Sequence, residues 1–135
     1  MATRGLRVSE SVQGGQLGLA GEYFVAGQLI LRGWAAALTK GNSQDVDILA
    51  RKGPRNIAVQ VKAVRNNDPP LKPNRLHDDL TYIVVDVVNP DTQRYYVIPG
   101  HILRQFHYSA PNGIDGRIPL KKCGDFENRW DVLEA

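Results

Sequence analysis

Two hydrophobic periods run along the chain, and the switch between them divides it. Over residues 14–32 apolar positions recur at helical spacing: Leu17, Ala20, Phe24, Gly27 and Leu31 fall on one side, with Gly18, Glu22, Val25 and Leu29 on an adjoining stripe. Glycines such as Gly21 lower the helix propensity of this stretch, and Gly33 stands where a left-handed stop is expected. Beyond it the period becomes that of strands. Residues 34–39 and 46–50 are short apolar runs separated by a turn. Residues 56–64 alternate, with Ile57, Val59, Val61 and Ala63 facing one way and Ala58, Gln60 and Lys62 the other. Prolines at positions 69, 70 and 73 make 66–74 a loop. Residues 80–88 are rich in β-branched side chains, as in a buried central strand, and 94–98 return as its partner after the turn at 89–92. Residues 99–107 read as a short helix with proline in its first turn. Residues 125–133 read as a final helix capped by Asp125, with Phe126, Trp130 and Leu133 turned inward.

The order is therefore helix, three strands, loop, two strands, then one or two short helices. That predicts a single α/β domain over 14–135, a central mixed β-sheet flanked by α-helices, with residues 1–13 as a flexible polar arm. With 135 residues, 42% of them apolar, the chain is long enough for one core. Its single cysteine, Cys123, forms no internal disulfide, which favours a reducing, cytoplasmic setting. No apolar run approaches the roughly 18 residues of a membrane span, and the N-terminus lacks the apolar core of a signal peptide. Charge changes the picture more than composition does. Residues 40–75 hold eight basic and three acidic side chains, +5 against +3 for the whole chain, so the remainder is slightly acidic. Such a segment suits a polyanion such as nucleic acid, or is simply a solvated basic face.

Three polar residues stand out among the strands. Asp47 opens one strand, while Gln60 and Lys62 lie two apart on another and so share a face. If the two strands are hairpin neighbours through the turn at 51–55, the three lie side by side. A carboxylate, a side-chain carbonyl and the backbone carbonyl of Val61 make an oxygen-rich site for a hard cation such as Mg²⁺, with Mn²⁺ as substitute. A lysine beside that cation can position or deprotonate a water, or stabilise charge on a phosphate. Asp45 shares a strand face with Asp47 and is the alternative ligand. Lys72, Arg75 and Arg65, in or beside the proline-rich loop, are candidates for phosphate contacts, as is Lys40 at the start of the basic segment. Asn42 and Ser43, with Gln44, either reach a phosphate or serve only their turn. The histidines His77, His101 and His107 suit no metal pair. Neither a Ser-His-Asp order nor a glycine-rich phosphate loop is present.

The stretches GEYFVAGQLILRG (21–33), GNSQDVDILA (41–50) and AVQVK (58–62) resemble the PD-(D/E)XK nuclease superfamily, in particular small single-domain members similar to archaeal Holliday junction resolvases. FENRWDVL (126–133) is similar to the closing helix of such members. The resemblance implies a restriction-endonuclease-like core. It makes Asp47 the metal-binding aspartate and Lys62 the catalytic lysine, and matches Glu22 to a helix glutamate that completes the metal site or binds a second cation. Val46 replaces the proline before the aspartate. Gln60 replaces the usual acid, so Glu22, Asp47 and Gln60 together carry −2 rather than −3, which weakens the hold on Mg²⁺. The implied function is a metal-dependent endonuclease hydrolysing phosphodiester bonds in DNA, with RNA left open. The alternative is a catalytically inactive module of the same fold that binds nucleic acid or a partner protein. A homodimer is the assembly suggested, since cutting two strands together takes two such sites.

Overall fold

A five-stranded sheet organises the molecule. The computed structural model describes residues 7–41 and 44–134. Strands β1 (Ala35–Leu38), β2 (Ile48–Lys52), β3 (Arg55–Val64), β4 (Thr81–Asp86) and β5 (Arg94–Pro99) lie in the order in which they occur along the chain. Only β3 and β4 run parallel; the other neighbours are antiparallel. β2 and β3 form the expected hairpin, closed by Gly53 and Pro54, where Gly53 takes the positive φ of 60° that the tight turn requires. β4 is the most buried strand, as its unbroken apolar run requires. Its terminal Asp86 is buried too, and its carboxylate accepts from the backbone N–H groups of Asn66 and Val88, both at 3.1 Å.

The alternation of β3 divides the core in two. Val59 and Val61 join a cluster with α1 (Gly14–Leu31), while Ala58 and Val64 join a second cluster on the opposite face. The inward stripe of α1 is Leu17, Gly21, Val25 and Leu29, with Ala26 beside it. This corrects the face expected from spacing: Leu31 is 81% exposed and Phe24 lies at the surface. The reason is a steric one. α1 is apolar on most sides, and it lies so close to the sheet that a Cβ at Gly21 would stand 2.8 Å from Ala63 Cβ and 3.1 Å from Val85 Cγ1. A glycine therefore occupies the centre of the contact.

The second face is covered mostly by irregular chain. The β3–β4 connection contributes Leu71 and Leu76, α2 (Gly100–Leu103) contributes Leu103, and the segment after it contributes Ile118 and Cys123. α2 is shorter than the expected 99–107 helix. A two-stranded hairpin, β6 (Tyr108–Ser109) with β7 (Gly116–Arg117), follows it and is not foreshadowed by the sequence pattern. The expected final helix is also corrected. It is replaced by 3₁₀ turns at Gly124–Phe126 and Trp130–Glu134, because the residues between them pair with the sheet edge. Glu127 bridges to Tyr96, and the Asn128 N–H, at a positive φ of 56°, donates to Tyr95 O at 2.8 Å. Asp125 is not a cap there, since Cys123 precedes the turn. Trp130 and Leu133 are nonetheless buried as anticipated.

Of the expected N-terminal arm, residues 1–6 lie outside the described residues. The rest is held down: the Val8 N–H donates to Val88 O at 2.8 Å, and Val8 and Val12 pack on the core. Among the described residues no helix is long and apolar enough to cross a membrane.

Two substitutions test this packing. Gly21→Ala gains about 1 kcal/mol in helix propensity but overpacks the α1–sheet contact, which costs about 1–3 kcal/mol. A net loss in urea-unfolding free energy is expected. Glu127 sits in a two-pronged pair with Arg94, at 2.9 and 3.0 Å, and the hydrogen bonds from Arg94 hold its carboxyl below the usual value of 4.5. Both side chains are partly exposed, so solvent screening limits the pair to about 1 kcal/mol or less. Because the folded pKa is depressed, that contribution is full above the ordinary glutamate value and disappears as pH falls through the folded one. The melting-temperature difference between the parent and Glu127→Gln should therefore vanish in acid.

Candidate active site

The β2–β3 hairpin places Asp47 one residue beyond the Ile48–Val59 pair. The ladder continues there, with the Asp47 N–H donating to Val59 O at 2.8 Å and the Asp47 carbonyl accepting from Thr39 N at 3.0 Å. Its carboxylate Oδ2 in turn accepts from Val61 N at 2.8 Å. This bond fixes Asp47 against β3 at the residue that separates Gln60 from Lys62. The hairpin expected to bring the two strands together is thus present, with Asp47 bonded to β3 between Gln60 and Lys62.

The remaining members feel the charge of Asp47. Glu22 follows Gly21 on α1; burial raises its carboxyl above the usual range, and the nearby Asp47 charge raises it further. Burial lowers the Lys62 ammonium below its usual value, against the opposing pull of Asp47 and Asp45. The Gln60 Oε1 atom is buried and has no hydrogen-bond partner among the described residues. A buried carbonyl oxygen left without a donor costs about 1–3 kcal/mol.

Gln60 and Lys62 form part of the lining of a cavity of about 240 Å³, whose rim includes Asp45, Lys72 and Arg75. Asp45, at a positive φ of 69°, is engaged elsewhere than at a metal. Its Oδ1 accepts from Arg75 at 3.0 Å, and its Oδ2 lies 3.0 Å from His77 Nε2. Burial alone would raise the Asp45 carboxyl, but the hydrogen bonds from His77 and Arg75 outweigh it and hold the group below its usual range. The same loop is bolted to β4, because the Tyr82 hydroxyl accepts from His77 N at 2.9 Å and donates to Arg75 O at 3.1 Å. His77 thus belongs to the wall of the site. No spacing rule could have found it, since it lies 32 residues from Asp45.

The other candidates are dispersed. Lys40 is exposed just past β1, next to Thr39, which bonds to Asp47. Asn42 and Ser43 lie outside the described residues. Arg65 points away from the cavity and holds the N-terminal segment, its guanidinium donating to Val12 O at 2.6 Å and to Ser9 O at 3.5 Å.

The donor set fits a hard divalent cation. Burial and then the charge on Asp47 raise the proton affinity of Glu22, an oxygen of Gln60 lacks a donor among the described residues, and all the side-chain donors are oxygen. The fit is that of a lightly charged site. Among the described residues no three His, Cys, Asp or Glu side chains gather to hold a metal.

No protein-family model matches the sequence, and no curated protein matches it. Among solved structures the chain is similar to that of Archaeoglobus fulgidus Hjc, a Holliday junction resolvase from an archaeal hyperthermophile. The TM-score is 0.57 at 17% identity, over 79% of this chain and 87% of that one. At that identity the likeness is one of architecture: the mixed five-stranded sheet with its flanking helices is a restriction-endonuclease-like fold.

Proposed function

We propose that this chain is a metal-dependent endonuclease that hydrolyses phosphodiester bonds in DNA. The observation that carries the reading is the buried, unpartnered Gln60 Oε1 beside an aspartate locked to the next residue of the same strand. The likeness to a Holliday junction resolvase supports a nuclease-fold protein that cleaves DNA. Glu22, Asp47 and Gln60, with the Val61 carbonyl, would hold Mg²⁺ or its substitute Mn²⁺. When bound, the cation supplies Lewis-acid activation of water and of the phosphate.

Lys62 is the group of this chain suited to proton and charge management. Its depressed pKa brings the amine nearer to the range where it can take a proton from the attacking water. As an ammonium it faces the charge that builds on the phosphate while the new P–O bond forms and the bond to the leaving sugar oxygen breaks. Lys72 and Arg75 on the rim contact flanking phosphates. Lys40 supplies a further exposed cation, and Asn42 and Ser43 are kept as candidate phosphate contacts, whereas Arg65 is spent on the N-terminal segment. A homodimer would present two such sites to two strands.

Four measurements test the reading. Supercoiled plasmid and a labelled four-way junction should be cut with Mg²⁺ or Mn²⁺ and not in EDTA. Asp47→Ala and Lys62→Ala should each lose at least about 100-fold in rate while keeping the parent's circular dichroism. Cutting by either variant at the parental rate would refute the assignment, and DNA binding without cutting by the parent would make the chain an inactive module. Gln60→Glu restores the third charge, so half-maximal activity should need less Mg²⁺, and Mg²⁺ should raise the melting temperature more than in the parent. Asp45→Asn loosens the wall carrying Arg75 without touching the proposed ligands. KM should rise by about three- to tenfold with kcat nearly unchanged.

A further inference from the structure

We propose that the β6–β7 hairpin carries a subsite for one unstacked base, with Tyr108 as its stacking surface and Arg117 and Lys72 as its phosphate contacts. The inference rests on the nuclease reading, because the cavity it uses adjoins that site. A second cavity, of about 280 Å³, is lined by Lys72, Tyr108, Asp115 and Arg117, with Pro70 and Gly116. It shares Pro70 and Lys72 with the cavity over Gln60 and Lys62, so the two cavities adjoin at these residues.

The hairpin is built to hold an aromatic ring in place. Tyr108 is 42% exposed, yet its hydroxyl is anchored at 3.1 Å to Asp68 Oδ2. Arg117 Nη1 donates to the carbonyl of the same aspartate at 2.8 Å. The turn between the strands is closed by Ala110 N to Asp115 O at 2.7 Å, and Asn112 Oδ1 accepts from the N–H groups of Ile114 and Asp115. A Cβ on Gly116 would come within 2.8 Å of both Leu71 O and Tyr108 O, so the hairpin sits tightly on the loop that walls the site. An exposed, pre-oriented tyrosine beside two cations is the arrangement that stacks a base and grips its backbone. Asp115, the acid in the lining, is paired with Asn112 at 2.9 Å. Continuity with a phosphodiester site and the cationic excess favour nucleic acid over a peptide as occupant. The base must already be unstacked, so the preferred substrates are single strands, nicks and branch points rather than intact duplex.

Anisotropy titrations in EDTA, with the full chain and labelled single-stranded, four-way-junction and blunt duplex DNA, read this directly. The parent should favour the first two. Tyr108→Ala should lose about tenfold in affinity for them and keep its duplex affinity, while Tyr108→Phe, which lacks only the anchoring hydroxyl, should stay within about twofold of the parent. Arg117→Ala should lower the salt slope by about one. Equal loss on all three DNAs, no loss at all, or a Phe variant as weak as the Ala variant would overturn the subsite. So would a parent that prefers duplex or binds a peptide pool instead. Plasmid cutting by the parent with Mg²⁺ is scored separately. If it cuts while Tyr108 proves irrelevant, only the subsite fails; if it never cuts while Tyr108 governs single-strand binding, only the nuclease reading fails.

Discussion

The close approach of α1 to β3 and β4 at Gly21 governs where everything else can be. A methyl group at that point would meet Ala63 and Val85 closer than van der Waals contact allows. The helix therefore sits low on the sheet, and the residue after the glycine, Glu22, comes within the field of Asp47. The carboxylate pair exists because a side chain is missing beside it. On the sheet side, the hydrogen bond from Val61 N to Asp47 keeps the aspartate from relaxing away from its like-charged neighbour.

Each polar group at the site is held in a state that water alone would not favour. Lys62 is half-buried on a face shared with an unsatisfied amide oxygen, and its charge is supported by Asp47 and Asp45. Asp45 plays a different part from its neighbour two residues away. It is saturated by Arg75 and His77, and it ties the long β3–β4 connection across the mouth of the cavity. The division between the two aspartates is one of partners: a backbone N–H for one, the loop side chains Arg75 and His77 for the other.

Much of this was legible in the residues. The strict alternation at 56–64 gave the two faces of β3, and with them the shared side of Gln60 and Lys62. The apolar run at 80–88 identified the buried central strand. Where the pattern failed, it failed for definable reasons. A helix apolar on most sides does not announce its inward face, and a glycine is the last residue that hydrophobicity would place at the centre of a contact. The closing helix was lost to sheet pairing by Glu127 and Asn128, a tertiary demand that outweighs local propensity. Strands of two residues, as in β6 and β7, are too short to show any period. The wall at Asp45 depends on partners 30 and 32 residues away, which no local spacing encodes.

The pairing of Glu127 and Asn128 with β5 has a consequence of another kind. A sheet with open edges invites strands from other molecules. Here the β5 edge is occupied by the chain's own C-terminal segment, fastened by the Arg94–Glu127 pair, while the opposite edge is β1, four residues of mostly alanine. The molecule is therefore lopsided in its exposure to association. Shortening the chain before residue 127 would leave β5, the longer and more apolar edge, as an adhesive surface, so the closing turns guard solubility as well as covering the core.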